Sequence, residues 1–262
     1  MTDLSAAIRA ALLTGEPRAK VRATRDLVRG WRRGELAHGF AAAMPDRPAW
    51  PTRLQVLPAS AMPKRGRGGS ARNRQALWHA VAHIEFVAID LALDIVGRFG
   101  AQMNPDFTAD FLQVAADEAM HFWLVERHLH TLGASYGDLP VHDRLWQSAQ
   151  DTAGDLAARL AVVPMVLEAR GLDVTPAMLV RVADTGDARG ARILQRILDD
   201  EIAHVRAGTK HFRSVCDARG KDVDSHWVEL VQRHFRGSVR APFNDSARLA
   251  AGLSRQAYEA LA

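Results

Sequence analysis

Six residues of this chain form two sets with the same spacing, and each set could bind a metal ion. In each set, a glutamate is followed 33 residues later by a Glu-x-x-His step, and the two sets are offset by 83 residues. The members are Glu85, Glu118 and His121 in the first set, and Glu168, Glu201 and His204 in the second. Four carboxylates and two imidazoles in this two-fold pattern are typical of a carboxylate-bridged di-metal centre in a four-helix bundle.

Helical spacing explains how these residues could meet in one core. Side chains at positions i and i+3 share a helix face, so the glutamate and histidine of each step can point inward together. Buried carboxylates without partners are costly, and their four negative charges would balance two divalent cations. Oxygen and imidazole ligands favour iron or manganese, so we expect two iron ions, with manganese or a mixed manganese–iron pair as alternatives. By position, Glu118 and Glu201 are expected to bridge the ions, whereas Glu85 and Glu168 are terminal.

An aspartate stands directly before each Glu-x-x-His step, at Asp117 and Asp200. A metal-bound histidine usually donates its second N–H to a carboxylate, which fixes its tautomer. We therefore expect Asp200 to pair with His121 and Asp117 to pair with His204. The alternative is that both aspartates face solvent.

Other histidines are set apart from this ligand pattern. A third Glu-x-x-His step, from Glu35 to His38, lies in a basic segment without matching glutamates, and we interpret it as a surface feature. His79 and His83 lie before Glu85 but off its helical face. We expect them to make polar contacts with neighbouring segments, and the alternative is a proton-relay or substrate role.

The elements that would position these residues are helices, and no run of residues has the pattern of a strand, so we predict an all-α fold. The predicted helices span residues 3–14, 17–30, 73–99, 106–132, 142–170, 175–185, 187–218, 223–236 and 245–261. Pro164 is expected to kink the fifth helix near Glu168. Residues 44–70 contain five prolines and end in KRGRGGS, which predicts a connection that wraps the body as ordered coil or is mobile.

These elements suggest three regions. Residues 73–220 would form the four-helix bundle, after a basic N-terminal extension of two short helices and a Pro-rich wrap (1–72) and before extra C-terminal helices (221–262). Glu168 falls close to the end of its predicted helix, at Gly171. The short helix 175–185 is therefore expected to lead the chain back before the next long helix begins.

Composition excludes several classes of protein. The chain has 262 residues and one cysteine, so it has no internal disulfide and no cysteine-type zinc site, and we expect a reduced, cytoplasmic setting. Its first residues include Asp3 and an arginine within the apolar part, unlike a signal peptide. No run of about 18 apolar residues occurs, so we expect no membrane span.

The positive charge is concentrated near the N-terminus. Residues 1–75 carry 15 lysines and arginines against five aspartates and glutamates, whereas the remainder carries 19 against 25. The simpler interpretation is a solvated, arginine-rich flank. The alternative is a patch for an anionic partner such as a nucleic acid or an acidic substrate, although no RNA-recognition motif is present.

Four blocks of sequence resemble a bacterial ferritin-like family catalogued as domain of unknown function 455. They are HAVAHIEFVAIDLALD, DEAMHFWLVERHLHTLGASYGDLPVHD, VPMVLEARGLDVTP and LDDEIAHV. The similarity runs from about residue 20 to residue 235, and all six ligand positions are filled as the pattern requires. The resemblance implies a ferritin-like bundle with these six residues as di-metal ligands, but no substrate. The chain is more distantly similar to the di-iron tRNA hydroxylases, which share the ligand pattern.

The first functional hypothesis is a di-iron carboxylate oxidoreductase. It would use O₂ and an external electron donor to hydroxylate or oxidise an unidentified substrate, such as a nucleic-acid base or a small metabolite. The alternative is a ferroxidase or storage protein that handles metal without an organic substrate. Storage cages usually have an acidic interior and cleanly ended subunits, unlike this chain with its basic extension. We therefore expect a monomer or a small homo-oligomer.

Overall fold

The computed structural model describes residues 2–63 and 70–262, and nearly all of the regular structure in this part is helical. The α-helices are α1 (Leu4–Leu12), α2 (Pro17–Arg32), α3 (Ala71–Phe99), α4 (Pro105–Thr131), α5 (Arg144–Asp151), α6 (Leu156–Val162), α7 (Ala169–Asp184), α8 (Ala188–Ala218), α9 (Val223–His234), α10 (Asp245–Ala250) and α11 (Arg255–Glu259). Strands β1 (Thr2–Asp3) and β2 (Leu36–Ala37) pair in parallel over two residues each. The all-α prediction is therefore confirmed.

The chain divides into two compact units, Met1–Trp146 and Gln147–Ala262. The predicted regions 1–72, 73–220 and 221–262 stay a prediction. The segment 44–63 is mostly coil with one 3₁₀ turn at Ala59–Ala61, and the remainder of the predicted connection, residues 64–69, lies outside the described residues. None of the described helices has the length and apolar character needed to cross a lipid bilayer.

The first unit is built on an antiparallel hairpin of α3 and α4. Gln75, near the start of α3, donates a hydrogen bond of 2.7 Å to the carbonyl of Leu132, just after α4 ends. Halfway along the hairpin, the rings of Phe86 and Phe122 lie 5.3 Å apart. Asn104 caps the start of α4, because its side chain accepts a hydrogen bond from the backbone of the third residue of that helix. The hairpin brings residues 85 and 118–121 to the same level.

A buried ion pair holds the N-terminal segment against α3. Lys20 of α2 pairs with Asp90 of α3, and both side chains are fully buried. Lys20 also donates to the carbonyl of Ala49 at 3.0 Å, and the indole of Trp50 donates to Asp90 at 3.1 Å. Burial raises the pKa of Asp90 to about 6, against the opposing effect of the Lys20 charge, and burial lowers the pKa of Lys20. The ammonium group lies 4.7 Å from the ring centre of Phe86.

The second unit contains a long irregular helical run that packs on α8. Helix α6, a π-helical segment (Val163–Glu168) and α7 follow one another without a break. A Cβ built at Gly208 of α8 would lie 2.5 Å from the Cβ of Pro164. A Cβ built at Gly171 would lie 4.0 Å from the carboxyl carbon of Glu201. Residue 208 of α8 therefore lies near residue 164, and residue 201 lies near residue 171. Because residue numbers decrease along α8 while they increase along the other helical run, the two are antiparallel.

Two predicted boundaries in this unit are wrong. The predicted helix 142–170 is interrupted after α5, and Asp155 caps the start of α6. The predicted end of this helix at Gly171 is also wrong, because α7 continues through both Gly171 and Pro176. Residues 175–185 therefore do not form a separate connecting helix. A glycine costs a helix only about 1 kcal/mol relative to alanine. Pro176 removes a backbone donor to Leu172, whose carbonyl instead accepts a 3.1 Å hydrogen bond from Asn244.

The irregularity expected at Pro164 takes the form of a π-helical turn. Proline has no backbone N–H, so it disturbs the ladder of hydrogen bonds in the preceding turn. The indole of Trp227 on α9 donates a 3.0 Å hydrogen bond to the carbonyl of Ala161 in that turn. The carbonyl of Ala161 in that turn therefore has a side-chain donor from another helix of the unit.

The C-terminal helix predicted at 245–261 is two helices. Gly252, with a φ of +86°, makes a turn between α10 and α11. Arg248 of α10 is buried and forms two hydrogen bonds with Asp173 of α7, at 2.8 and 2.7 Å. This pair fixes the C-terminal helices to α7.

We expect Asp90→Asn to destabilise the protein by about 3–5 kcal/mol, because the buried Lys20 ammonium would lose its counter-charge. The free energy of unfolding is measured by urea denaturation. The double variant Lys20→Met with Asp90→Asn should cost less than the sum of the two single changes. The control is Asp26→Asn, which breaks an exposed pair with Arg29 and should cost no more than about 0.5 kcal/mol. Equal losses for Asp90 and Asp26 would contradict this account.

We expect Gly208→Ala to destabilise the protein by about 1–3 kcal/mol, because the new methyl group would collide with the rigid ring of Pro164. Alanine is otherwise the better helix former, so a stability gain would show that the close approach is unimportant. The control is Gly154→Ala, where an added Cβ meets no atom within 4 Å. Thermal unfolding of both variants beside the unaltered chain measures the difference.

Candidate metal centre

The hairpin of the first unit buries three of the predicted ligands together. Glu85 of α3 is 4% exposed, and Glu118 and His121 of α4 are 1% and 0% exposed. The Nδ1 atom of His121 lies 3.4 Å from Oε2 of Glu85 and 3.4 Å from Oε2 of Glu118. Each of the three residues offers a ligand atom, and these atoms lie within 4.8 Å of one another. We call these residues the first triad.

The electrostatics of the first triad favour a positive ion. Burial and the negative charge of Glu118 together raise the pKa of Glu85 to about 8, against the opposing effect of His121. Two carboxylates in a water-poor site cannot both ionise cheaply. A divalent cation would compensate both charges, and the carboxylate oxygens and the imidazole suit iron or manganese. The first triad therefore has the donor atoms, the burial and the charge of a metal site.

Aromatic side chains pack together in the core of the hairpin, next in sequence to two residues of the first triad. Phe86 follows Glu85, Phe122 follows His121, and the fully buried ring of Tyr136 contacts both, with ring centres 5.2 and 5.4 Å away. Burial raises the pKa of the Tyr136 hydroxyl well above its ordinary value, and Asp90 contributes. Sequence reasoning missed this residue as part of the site, because it lies in the connection after α4. Its only advance signal was an aromatic residue within an otherwise polar, Gly-containing loop.

The two histidines near Glu85 contact the segment that follows α4. His83 Nδ1 lies 2.9 Å from the hydroxyl of Tyr136, and its Nε2 lies 3.0 Å from the carbonyl of His142. His79 Nε2 accepts hydrogen bonds from the backbone of Gly137 and Leu139, at 3.0 and 3.3 Å. Both histidines therefore make the polar contacts predicted for them. They also hold Tyr136 in place against the hairpin.

The second unit carries the other three predicted ligands, which we call the second triad. On α8, Glu201 and His204 are 8% and 1% exposed, and His204 Nδ1 lies 3.6 Å from Oε2 of Glu201. Glu168 ends the π-helical segment, one turn before Gly171, and a Cβ built at Gly171 would be in ordinary van der Waals contact with the side chain of Glu201. Residues 168 and 171 share a helix face. Glu168 is half-buried and lies on the side of its helix that is turned towards α8.

The two aspartates before the Glu-x-x-His steps are half-buried. Asp117 accepts hydrogen bonds of 2.9 Å from Gln113, one turn earlier on α4. Asp200 accepts a 2.5 Å hydrogen bond from Arg196, one turn earlier on α8. These local partners orient both carboxylates, so the aspartates are not simply solvated. Their expected pairing with the histidines of the opposite triad stays a prediction.

The third Glu-x-x-His step is built differently. The Glu35 side chain is exposed and lies 3.8 Å from Arg33. His38 turns away from it, with its Nε2 3.2 Å from the hydroxyl of Thr108 and its ring edge-on to Phe40. Glu35 and His38 therefore contact different partners and do not form a shared site. Substitutions at this step can serve as a control for substitutions at the two buried Glu-x-x-His steps.

Comparison with known proteins places the chain among relatives without an assigned activity. A family model described as "Protein of unknown function (DUF455)" matches residues 13–259. An uncharacterized protein of Haemophilus influenzae is 40% identical over 220 residues, which cover 82% of this chain and 74% of that protein. No solved structure matches the chain. The family resemblance noted in the sequence is therefore confirmed, and its ferritin-like character stays a prediction.

We expect chelator-treated, metal-free protein to lose stability as pH rises from about 4.5 to about 8. The folded-state pKa of Glu85 is raised from 4.5 to about 8, so in this window the folded protein keeps a proton that the unfolded chain releases. For one proton, the slope is at most about 1.4 kcal/mol per pH unit. Glu85→Gln should flatten this slope, whereas Glu35→Gln, on the exposed step, should not. Urea denaturation across the pH range measures both, and an unchanged slope in Glu85→Gln would contradict the assignment.

Proposed function

Because this chain belongs to the DUF455 family of proteins of unknown function, we propose its function from its buried ligands: a ferritin-like, carboxylate-bridged di-iron oxidoreductase. The observation that carries the proposal is the first triad. Its two carboxylates and one imidazole are almost completely buried, and their ligand atoms lie within 4.8 Å of one another. Burying two carboxylates without a cation costs several kcal/mol of folding free energy, whereas a bound metal ion would compensate their charges.

The second triad supports two metal ions rather than one. Its three residues repeat the spacing of the first triad, and its Glu201 and His204 repeat the contact of Glu118 and His121 on a second helix. We infer that each triad supplies one terminal glutamate, one bridging glutamate and one histidine. The four carboxylates would then neutralise two divalent ions. Iron fits the donor set best, and manganese or a mixed pair fits it next.

The residues of this chain have identifiable tasks in such a centre. The packed rings of Phe86, Phe122 and Tyr136 would limit the access of water to the hairpin core, which would strengthen the electrostatic interactions within the first triad. Asp117 and Asp200 would keep the outer nitrogens of the histidines protonated and so fix their orientation. When bound in the reduced state, a pair of irons supplies the capacity to use O₂ as an oxidant, with electrons from an external donor.

The substrate class that we propose is an oxidisable organic compound, either a nucleic-acid base or a small metabolite. A ferroxidase or storage role is the competing proposal, and it would need the same triads but no organic substrate. The two differ in stoichiometry. An oxidoreductase keeps its two irons and consumes O₂ continuously with a reductant, whereas a storage protein takes up many irons per chain within a closed assembly.

The experiment is anaerobic loading with ferrous iron, followed by removal of free metal and elemental analysis. We expect about two irons per chain, and a change in the absorption spectrum when O₂ is admitted. The double variants Glu118→Gln with His121→Gln and Glu201→Gln with His204→Gln should each lose at least one iron. The matched control is Glu35→Gln with His38→Gln, which removes the third Glu-x-x-His step and should retain both irons.

Two results would overturn the proposal. One is an unaltered chain that retains no iron and no manganese after loading. The other is equal metal retention by the two triad variants and the Glu35/His38 control. Uptake of many irons per chain into a large closed assembly, measured by light scattering, would replace the oxidoreductase with the storage protein. Two retained irons with reductant-dependent O₂ consumption would support the oxidoreductase.

A further inference from the structure

The outer face of α2 carries a straight row of arginines, which we call the arginine row. Its members are separated by four, three, four and three residues, so they fall on one side of the helix. They are Arg18, Arg22, Arg25, Arg29 and Arg32, and all five are exposed. Neighbouring members lie about 4.5–6 Å apart along the helix axis, and the row extends over about 21 Å.

The arginine row is only partly neutralised by its surroundings. Arg18 lies 3.3 Å from Glu126 of α4, and Arg29 pairs with Asp26, one turn earlier on α2. Arg32 contacts the uncharged amide of Gln113. Within the part of the chain that the structure describes, neither Arg22 nor Arg25 forms an ion pair, and both lie in the middle part of the row. Five positive charges against two acids leave a surplus of three in a line.

From this geometry we propose that the arginine row binds the phosphate backbone of a nucleic acid. Guanidinium groups donate two parallel hydrogen bonds to a phosphate, so arginine suits phosphate recognition better than lysine does. A linear, evenly spaced set of cations matches a polyanion whose charges repeat along a line. The row contains no aromatic residue for base stacking, so we expect binding through the backbone without sequence preference.

An anionic membrane is a poorer match to the same charges. A helix that lies on a membrane inserts an apolar face between the lipids. The apolar face of α2 is already used, because Val21, Leu27 and Val28 are buried in the core of the first unit. The exposed face that remains carries the arginine row and is strongly polar.

The test measures binding of a fluorescein-labelled RNA duplex, and of one of its strands alone, by fluorescence anisotropy. We expect the logarithm of the association constant to fall with the logarithm of salt concentration, between about 50 and 200 mM, with a slope of about −4.5 for the duplex if all five arginines engage it. Arg22→Gln with Arg25→Gln should make the slope shallower by about 2. Both residues are exposed and form no ion pair with any described residue, so the fold should be retained, which far-UV circular dichroism checks.

The control is Arg189→Gln with Arg192→Gln. These two arginines are also exposed and also three residues apart, but they lie on α8. They should leave RNA binding unchanged, although the change in net charge is the same. Iron content is measured on every variant and should equal that of the unaltered chain. Loss of RNA binding can then be distinguished from damage to the metal centre.

Three outcomes would overturn the proposal. The first is no RNA binding at low salt. The second is an equal loss of binding in the α2 and α8 variants, which would show only a general effect of net charge. The third is co-sedimentation with vesicles of anionic phospholipid that depends on Arg22 and Arg25, without any binding of RNA. Salt-dependent RNA binding that the α2 variant alone weakens would support the proposal.

Discussion

The burial of two carboxylates side by side is the constraint on which the first unit depends. Glu85 and Glu118 face one another within a helical hairpin, and each is cut off from the water that would stabilise its charge. Desolvation and mutual repulsion both act against ionisation. The hairpin must therefore be stable enough from its other contacts to hold these groups at one level. The buried rings of Phe86, Phe122 and Tyr136, which contact one another, contribute to that packing.

Much of this arrangement could be predicted from sequence because its signals are local. The i, i+3 spacing of each Glu-x-x-His step predicts that both side chains share one helix face. Capping residues such as Asn104 and Asp187 mark where long helices begin. The region from α5 to α7 could not be predicted in the same way. Gly171 and Pro176 usually end helices, but here Asn244, about 70 residues later, supplies a donor to the carbonyl that Pro176 leaves unpaired. Such compensation appears only after folding.

The burial of Lys20 and Tyr136 shows two different reasons for a missed assignment. Lys20 lies among arginines, and its charge suggests a solvated position, yet it shares a helix face with Thr24, Leu27 and Val28, which are all buried. Periodicity was therefore a usable signal for Lys20. Tyr136 lies in a loop, where no periodicity exists, and its place in the core depends on contacts with Phe86 and Phe122 and on the hydrogen bonds of His79 and His83 with the same loop.

The Lys20–Asp90 pair also bears on how this protein could be reduced to a smaller one. The α3–α4 hairpin carries the whole first triad and is an attractive starting point for a minimal metal-binding peptide. Removing α1, α2 and the following coil would leave Asp90 without Lys20, Trp50 or any replacement, and would uncover the ring of Phe86 beside Glu85. A designer would have to replace Asp90 with an apolar residue and cover Phe86 before the shortened hairpin could keep its ligands in place. The N-terminal segment is thus part of the hydrophobic core of the hairpin. A shortened protein without this segment would need a redesigned core.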